Sequence, residues 1–412
     1  MPKYDLAVVG AGLGGLATAA VLSRKNKKVL LLSPGNEPGG VLAPFSRDGL
    51  FFAPGPSLSF DFGSRTLFGR LFSDLGLTLA SVPSASSYQV VLPDHRITVY
   101  RDHNQTLEEL RREFPREIDV LSKFYRDIQK ETGRTSQSRL SAYLSKKRSA
   151  EGFIRKYRFS SKIRTFFDLQ ARYFYQAPVS RISHASLMAM IDTMPCRVED
   201  GFKTVVDQVL DVALKCGGDV RFQEAMPEIV FRKNSVAGLK TSRDLAEAKT
   251  YLFNTVQHEQ GTTLFFGIRD EVVPLRMCRD VIYLPDYGHP EQFYSLSLGS
   301  SERPIPSGGA LRALTAVYRS TSQPSGPDWD HVEYINAVIP FLQEHLVFAR
   351  GYETEKLRYV FPHGITFDWH RSGEHADRLV RASSRNTWLM NDDVTSPAGS
   401  VAAALRLAAR LR

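Results

Sequence analysis

The chain has 412 residues, of which 42% are hydrophobic and 24% are charged, and its formal net charge at pH 7 is +9. This composition is typical of a globular protein and argues against a disordered chain, and the length predicts about two or three domains. The three cysteines form no C-x-x-C pair, which argues against structural zinc and against a disulfide-held secreted protein. No apolar run reaches the ~18 residues expected of a membrane-spanning helix.

The apolar stretch near the start differs from a signal peptide, because Asp5 precedes it, glycines interrupt it and a second strand pattern follows it. We therefore expect a cytoplasmic protein. The positive net charge suits an acidic partner or an anionic lipid surface, such as the inner face of a membrane. No recognised nucleic-acid-binding module occurs, so we expect no nucleic-acid partner.

Residues 4–32 have the pattern of one βαβ unit. A strand, an apolar helix and a second strand are predicted at Leu6–Val9, Leu16–Leu22 and Val29–Leu32. A basic turn at residues 24–28 separates the helix from the second strand.

Three glycines inside this unit, Gly10, Gly12 and Gly15, have the G-x-G-x-x-G spacing. The first permits a tight turn, the second allows the backbone to approach a pyrophosphate, and the third allows helix and strand to pack closely. The phosphates would lie at the helix N-terminus, beside Leu13 and Gly14, where N–H groups and the helix dipole favour negative charge. On its own the unit predicts a dinucleotide site and leaves NAD, NADP and FAD open.

A second glycine-rich region follows the βαβ unit. It contains a P-G-G at residues 38–40 and, at residues 48–57, the sequence DGLFFAPGPS. Backbone of this kind is typical of a chain that passes close to a ligand. Together with the first glycines, these motifs resemble the N-terminus of the FAD-dependent phytoene desaturase and carotenoid oxidoreductase family, which is grouped with the amine oxidases and protoporphyrinogen oxidases.

The resemblance implies an α/β fold in which a discontinuous Rossmann-like FAD-binding domain carries an inserted α+β substrate domain. It assigns residues 1–80, 196–260 and 360–412 to the FAD-binding domain and residues 81–195 and 261–359 to the substrate domain. It also implies FAD as the cofactor and hydride transfer from a hydrophobic small-molecule substrate, for example an isoprenoid or carotenoid, to the flavin. The residues that it places at the cofactor are Gly10, Gly12, Leu13, Gly14, Gly15, Ser33, Gly39, Gly40, Val41, Gly55, Pro56, Met226, Asp392 and Val401.

Four positions depart from the family pattern: Ser33, Val41, Ala53 and Asn391. Ser33 stands where the family has an acidic residue that holds the adenosine ribose. A serine hydroxyl makes one such hydrogen bond, whereas a carboxylate accepts two charge-assisted ones. Val41 stands where the family often has an arginine. Ala53 stands where it usually has an aspartate, and Asn391 where it has a glycine. These departures keep open a flavin-free relative that acts as a binding or scaffold protein.

The two parts of the predicted substrate domain contain different elements. A helix at Leu67–Leu77, with Gly76 at its end, precedes the first part, and Thr106 with Glu109 resembles a capping box before an amphipathic helical series that runs to Phe124. A β-hairpin is predicted from segments 88–92 and 96–100, β-rich segments at 262–268, 281–283, 293–296 and 310–318, and a helix at 328–348.

Residues 146–172 contain nine Lys or Arg residues against two acidic ones, interleaved with aromatic and aliphatic side chains. One interpretation is a pair of surface helices with solvated cations and core aromatics. The other is a peripheral contact with an anionic membrane surface. In the resembling family this region lies beside the substrate entrance.

The pattern returns to α/β after residue 201. A helix is predicted at Thr204–Lys215, with strands at 219–222, 228–231 and 236–240, and Met226 matches the family position whose backbone meets the adenine. Near the end, Asp392 closes a strand and a helix is predicted from Val401. In the resembling family that aspartate contacts the ribityl or phosphate oxygens of FAD, and the N-terminus of the helix points at the flavin.

The sequence predicts an oxidoreductase but names no catalytic side chain, because no nucleophile–base arrangement or metal-ligand spacing occurs among its ten histidines and three cysteines. The main hypothesis is an FAD-dependent oxidoreductase of the desaturase type. An amine-oxidase-like flavoenzyme and a flavin-free binding protein are the alternatives.

Overall fold

The structure is a computed structural model of the whole chain. It describes residues 3–47, 49–62, 66–78, 85–137, 148–198, 201–256, 261–269, 273, 276–304, 310–319, 379–382, 386–392 and 397–411.

The described strands are short in the first third of the chain, and the longest ones lie between residues 248 and 319. In chain order they are β1 (Tyr4–Val9), β2 (Val29–Leu32), β3 (Phe45–Arg47), β4 (Leu50–Phe52), β5 (Leu58–Ser59), β6 (Ser87–Leu92), β7 (His95–Tyr100), β8 (Cys196–Arg197), β9 (Asp219–Arg221), β10 (Glu228–Arg232), β11 (Ser235–Lys240), β12 (Leu245–Ala246), β13 (Ala248–Val256), β14 (Gly261–Arg269), β15 (Asp280–Tyr283), β16 (Phe293–Pro304), β17 (Ala310–Arg319), β18 (Leu379–Arg381) and β19 (Thr387–Asp392).

The α-helices alternate with strands at both ends of the chain and follow one another in the middle. They are α1 (Leu13–Arg24), α2 (Leu67–Leu75), α3 (His103–Glu113), α4 (Ile118–Gln137), α5 (Ala150–Ile154), α6 (Ser161–Tyr175), α7 (His184–Asp192), α8 (Lys203–Lys215) and α9 (Pro397–Arg410). Short 3₁₀ helices occur at Gly40–Leu42, Arg155–Tyr157 and Val179–Arg181.

The first sheet is nearly all parallel and is built from distant parts of the chain. Its strand order is β18-β19-β13-β1-β2-β9, and only the pairing of β18 with β19 is antiparallel. Strand β1 is the switch point, because β2 continues the sheet on one side of it and β13 on the other. Ligands of open α/β sheets bind at the carboxyl ends of the strands at such a point.

Alternating side chains of β1 divide the core of this sheet between two layers. Leu6 and Val8 pack with α1, α2, α8 and α9 on one face. Ala7 and Val9 pack on the other face against the three-stranded antiparallel sheet β10-β11-β12, through Val236 of β11 among others. Because β1 and β2 are covered on both faces, Leu6–Val9 and Val29–Leu32 are continuously apolar, as expected for buried parallel strands.

The second sheet has the order β14-β17-β16-β15-β6-β7 and joins the early hairpin β6–β7 to strands more than 180 residues later. Helices α3 to α7 cover it with an aromatic-rich core that includes Phe124, Phe166 and Phe167, each completely buried. The hairpin β3–β4 packs against its other end, where Phe52 contacts Phe265 edge to face. The two sheets therefore meet at the segment that follows the first glycine motifs.

The predicted fold class, a Rossmann-like α/β domain combined with an α+β unit, is confirmed. The hairpin at 88–92 and 96–100 and the helix that ends at Gly76 (φ +64°) are also as predicted. The domain boundaries stay a prediction. The predicted helix at 328–348 lies outside the described residues.

The predicted capping box is wrong. Asp102, four residues before Thr106, caps α3 by accepting a hydrogen bond from Asn104 N–H at 2.9 Å. The Thr106 hydroxyl instead accepts the N–H of Tyr100 from the neighbouring strand, which fixes the strand-to-helix turn. The helical series that follows is divided at Phe114, because Pro115 has no N–H to continue the helix.

Among the described helices, none is both long enough and apolar enough to cross a membrane.

Candidate functional site

The carboxyl edge of the parallel sheet at β1 brings the first glycines against strand β13. Gly10 follows β1 with φ +110°, and a Cβ added there would lie less than 3.0 Å from the carbonyl oxygen of Asn254. A Cβ at Gly15 would lie less than 3.0 Å from the Gly10 carbonyl oxygen. The first and third glycines of the motif are therefore required by the packing of strand, turn and helix.

The second glycine, Gly12, is the N-cap of α1 and carries no side chain that could cover the helix end. Leu13 and Gly14 form the first turn of α1, both buried, and no acidic side chain occupies that turn. The backbone N–H groups and the dipole of α1 therefore favour an anionic group at this end.

The downstream glycine pair lies directly beside this helix end. Gly39 donates its N–H to the carbonyl of Ala11 at 2.8 Å and forms a parallel bridge with Gly12. Gly40 (φ +59°) is so close that a Cβ there would lie 3.1 Å from Gly12 Cα. Val41 continues the same 3₁₀ turn. Gly12 and Gly39 are 27 positions apart in the sequence. The structure thus brings their two motifs together in one glycine-lined surface.

Ser33 follows β2 at the same edge and is 5% exposed. Its N–H donates to the Arg221 carbonyl at 2.9 Å and its carbonyl accepts from Glu224 N–H at 3.0 Å. These two bonds align Ser33 with the end of β9. The position predicted to meet the ribose therefore lies between the α1 glycines and the chain that leaves β9.

Strand β9 is held by a charged network beneath this edge. The Arg221 guanidinium donates to Asp219 at 2.8 Å, to Asp244 at 3.1 Å and to the Tyr4 hydroxyl at 3.2 Å. Hydrogen bonding from Arg221 lowers the pKa of the Asp219 and Asp244 carboxyls below the ordinary value. Because Arg221 also supplies the carbonyl that Ser33 contacts, this network fixes the Ser33 segment in place.

Met226 lies in the connection from β9 to β10, two residues beyond Glu224, and its side chain is 66% exposed. The side chain makes no core packing there, so the predicted contact with adenine would use the backbone. It stays a prediction.

The last strand and last helix reach the same edge. Asp392 ends β19 in register with Val256 of β13, which is the strand beside β1. Helix α9 packs against α1 and begins at Pro397, four residues before the predicted start. Proline suits the first helical position because its N–H is not needed there. Val401 is therefore inside the helix, and its side chain is fully buried.

A cleft opens where the two sheets meet, and we call it the arginine cleft. Its cavity volume is about 40 Å³. Gly55 (φ +100°) and Pro56 of the predicted site line it. Its described lining is Phe51, Ala53, Gly55, Pro56, Ser57, Arg197, Val198, Gly201, Arg279, Ser297, Leu298, Gly299, Ala313 and Thr315.

Close packing shapes one wall of the arginine cleft. A Cβ added at Gly201 (φ +61°) would lie 2.5 Å from the Cβ of Ala53. Ala53 is one of the departures from the family pattern, and its methyl group fits against a residue that has no side chain. A larger residue at either position would displace this wall.

Three contributors to the site were absent from the sequence predictions: Asn254, Arg197 and Arg279. Strand β13 could have been found from the aromatic and β-branched residues of Ala248–Val256. Nothing in the sequence marks Arg197 and Arg279 as site residues, because isolated arginines are common in a chain with 53 Lys and Arg residues.

Within the described residues, no group of three or more His, Cys, Asp or Glu side chains is placed to hold a metal ion. The glycine-lined surface does fit a dinucleotide. A side chain at Gly10, Gly15 or Gly40 would meet neighbouring backbone, and the open helix end of α1 offers N–H groups to a pyrophosphate.

The comparisons with known proteins agree with this geometry. A family model described as an NAD(P)-binding Rossmann-like domain matches residues 8–75. A chloroplastic prolycopene isomerase from Daucus carota is 35% identical over 127 residues, which are 30% of this chain and 21% of that protein. An all-trans-retinol 13,14-reductase from Rattus norvegicus is 31% identical over 129 residues, again 30% of this chain and 21% of that protein. The matches thus span about a fifth of the relatives' own length.

Solved structures resemble the chain over nearly its whole length. An oxidoreductase from Methanosarcina mazei has a TM-score of 0.61 at 14% identity and covers 98% of this chain and 99% of its own. A double mutant of putrescine oxidase has a TM-score of 0.58 at 14% identity, with coverage of 99% and 98%. At these identities the likeness concerns the fold. The predicted resemblance to carotenoid-oxidoreductase-like proteins is confirmed in sequence for about a third of the chain. Over nearly the whole chain, the solved structures share its fold.

Proposed function

We propose that the chain is an FAD-dependent oxidoreductase that acts on a hydrophobic substrate, such as an isoprenoid or carotenoid. The observation that carries the proposal is the approach of Gly39 and Gly40 to Gly12 at the N-terminus of α1. This approach joins the motifs of the resemblance on one surface at the sheet switch point. The sequence similarity to a prolycopene isomerase and a retinol reductase supports a polyene substrate.

Different residues of the chain bind different parts of FAD in this proposal. The N–H groups at the start of α1 receive the pyrophosphate, and Ser33 offers one hydroxyl to the ribose. Asp392, at the end of β19, lies on the far side of β13 from these groups. When bound, FAD would supply the hydride acceptor or donor, and the arginine cleft would hold the reacting part of the substrate away from bulk water.

Cofactor loading is the direct test. We expect the purified chain supplemented with FAD to retain flavin absorbance after gel filtration, and FAD to raise its unfolding temperature. Saturation at 100 times Kd would stabilise the fold by about 2.7 kcal/mol. NADH and NADPH, tested separately, should give no comparable shift. A shift with NADPH alone, or no shift with any of the three, would contradict the proposal.

The two alternatives remain distinguishable by experiment. The putrescine oxidase likeness in fold keeps an amine substrate open, and turnover of an amine but no polyene by the FAD-loaded chain would favour it. A flavin-free binding protein is motivated by Ser33, Val41, Ala53 and Asn391. It would be favoured if FAD failed to bind while the protein remained folded.

We also propose that segment 146–172 contacts an anionic membrane surface through charge. Its larger apolar side chains, including Phe153, Phe159 and Phe166, are buried in the core of the second sheet. Exposed cations remain outside them, at Arg155, Lys156 and Arg164 among others. A contact made by these groups would depend on lipid charge and weaken with salt, because it buries little apolar surface.

Vesicle co-sedimentation tests this contact. We expect binding to phosphatidylserine-containing vesicles and none to pure phosphatidylcholine. The triple variant Arg155→Gln, Lys156→Gln and Arg164→Gln should weaken binding by about 1 kcal/mol per charge. The matched control neutralises Lys215, Lys240 and Lys249, which are exposed on the parallel-sheet side. An equal loss of vesicle binding in both triple variants would show that the net charge of the protein, and not this segment, is responsible for binding.

A further inference from the structure

We propose that β10 is the contact surface of a homodimer, in which the outer edge of this strand pairs antiparallel with the same strand of a second copy of the chain. The inference goes beyond the proposed function, and its test needs no cofactor. Strand β10 lies at the edge of the three-stranded sheet β10-β11-β12 and, among the described strands, pairs with β11 alone. Its outer side therefore presents backbone N–H and C=O groups to which a further strand can bond.

The apolar side chains of this edge are exposed. Met226, just before the strand, and Phe231 are 66% and 63% exposed, which makes them the two most exposed large apolar side chains in the described part of the chain. Ile229 lies two residues before Phe231 on the same face and is 37% exposed. The residues opposite them on β11, Leu239 and Val236, are buried. A second strand beside β10 would extend this buried face over Ile229 and Phe231.

Strand β10 lacks the features that usually protect an edge strand from pairing, such as proline, lysine or a bulge. Its sequence, EIVFR, contains neither Pro nor Lys. The register shift after Val230 leaves Ala237 of β11 as the extra residue, so the bulge is in β11. Strand β10 itself is uninterrupted, and its outer edge can form a regular ladder.

The sequence of β10 is complementary to itself in the antiparallel direction. A twofold axis through Val230 places Glu228 opposite Arg232 of the second copy. The same axis places Ile229 opposite Phe231. Each contact occurs twice by symmetry, and opposite-charge pairs and aliphatic–aromatic pairs both stabilise neighbouring strands. A slip of two residues in either direction places a charged residue opposite Val230 and loses both charge pairs. This complementarity selects a second copy of the chain as the occupant.

The two charged groups are available for this contact. Arg232 is exposed, and its side chain makes no ion pair within the residues that the structure describes. Glu228 Oε2 lies 3.2 Å from Lys240 Nζ, with side chains that are 70% and 66% exposed. An exposed pair of this kind contributes little stability, and the carboxylate has a second oxygen that can accept a guanidinium. A lipid surface is a poorer occupant, because the open backbone groups of a strand edge cannot be buried in hydrocarbon.

The size of the contact sets the expected affinity. A pair of five-residue strands buries less than the ~1,200–2,000 Å² of a standard interface, so we expect a reversible dimer with a Kd of about 1–100 µM. Sedimentation equilibrium of the full chain without cofactor, from below to above that range, should show the mass rise from that of one chain to that of two. A chain that stays monomeric throughout would overturn the proposal.

Charge-exchange variants test the antiparallel register. Arg232→Glu and Glu228→Arg should each weaken dimerisation at least tenfold, because each variant places like charges opposite one another twice. An equal mixture of the two variants should associate as tightly as the parent chain, since every glutamate then faces an arginine. Misfolding of either variant would not be reversed by mixing. Arg111→Glu, on exposed α3, makes the same charge change elsewhere and should have no effect. If the mixture failed to dimerise, the register would be wrong.

An apolar variant tests the contact independently of charge. Phe231→Asn should weaken dimerisation at least tenfold, because a buried aromatic side chain is lost from each copy. Leu214→Asn on α8 changes a side chain that is 48% exposed and should leave dimerisation unchanged. An equal effect of the two variants would show that β10 is not the contact. If the parent chain stayed monomeric while Phe231→Asn lowered its binding to anionic vesicles, the surface would contact lipid and the proposal would be wrong.

Discussion

Gly10→Ala is expected to destabilise the fold by about 2–6 kcal/mol and to abolish dinucleotide binding. The backbone at Gly10 has φ +110°, a region that costs a residue with a side chain about 1–3 kcal/mol. The added Cβ would also meet the Asn254 carbonyl at less than 3.0 Å, and overpacking of this kind costs about 1–3 kcal/mol more. Such a loss is a large part of the ~5–15 kcal/mol that holds a typical domain folded.

Gly35→Ala is the matched control. It adds the same methyl group to the same region of chain, but its nearest neighbours would be 3.7 Å away, in ordinary contact. We expect its free energy of unfolding to stay within about 1 kcal/mol of the parent chain. Urea unfolding with an FAD titration measures both effects. If Gly10→Ala proved as stable as Gly35→Ala, the tight packing of the β1 turn against β13 would be wrong.

The glycine motif could be predicted from sequence because each of its members has a local reason. The residues next to these glycines predict both a turn after an apolar strand and the start of a helix. The structure places Gly10, Gly12 and Gly15 as that pattern requires. The association of Gly12 with Gly39 needed the resemblance, since a bridge between separate turns has no periodic signal.

The remaining parts of the site depend on tertiary contacts. Asn254 matters because β13 is the neighbour of β1, and strand order is not local information. Arg197 and Arg279 converge only when the β5–β8 pair meets the β15–β16 edge. The predicted start of α9 at Val401 is four residues too late, because Pro397 already fixes the backbone for a helix.

Ser33→Glu is expected to tighten FAD binding about tenfold or more while making the FAD-free protein less stable by about 1–3 kcal/mol. The glutamate carboxylate would accept hydrogen bonds from both ribose hydroxyls. Each hydrogen bond to a charged group contributes about 1.5–3 kcal/mol to binding, before the cost of burying the charge is subtracted. Without ligand the new charge would be buried at a position that is 5% exposed, beside the Glu224 backbone.

Ser33→Gln separates charge from size. Glutamine has the shape of glutamate but only one neutral acceptor oxygen, so it should disturb the FAD-free fold less and leave FAD affinity near that of the parent chain. Isothermal titration with FAD gives the affinities, and urea unfolding gives the stabilities. If both variants tightened binding equally, added bulk and not the carboxylate would be responsible. If Ser33→Glu weakened binding, Ser33 would not face the ribose, and the carboxyl edge at β2 would hold another part of the ligand.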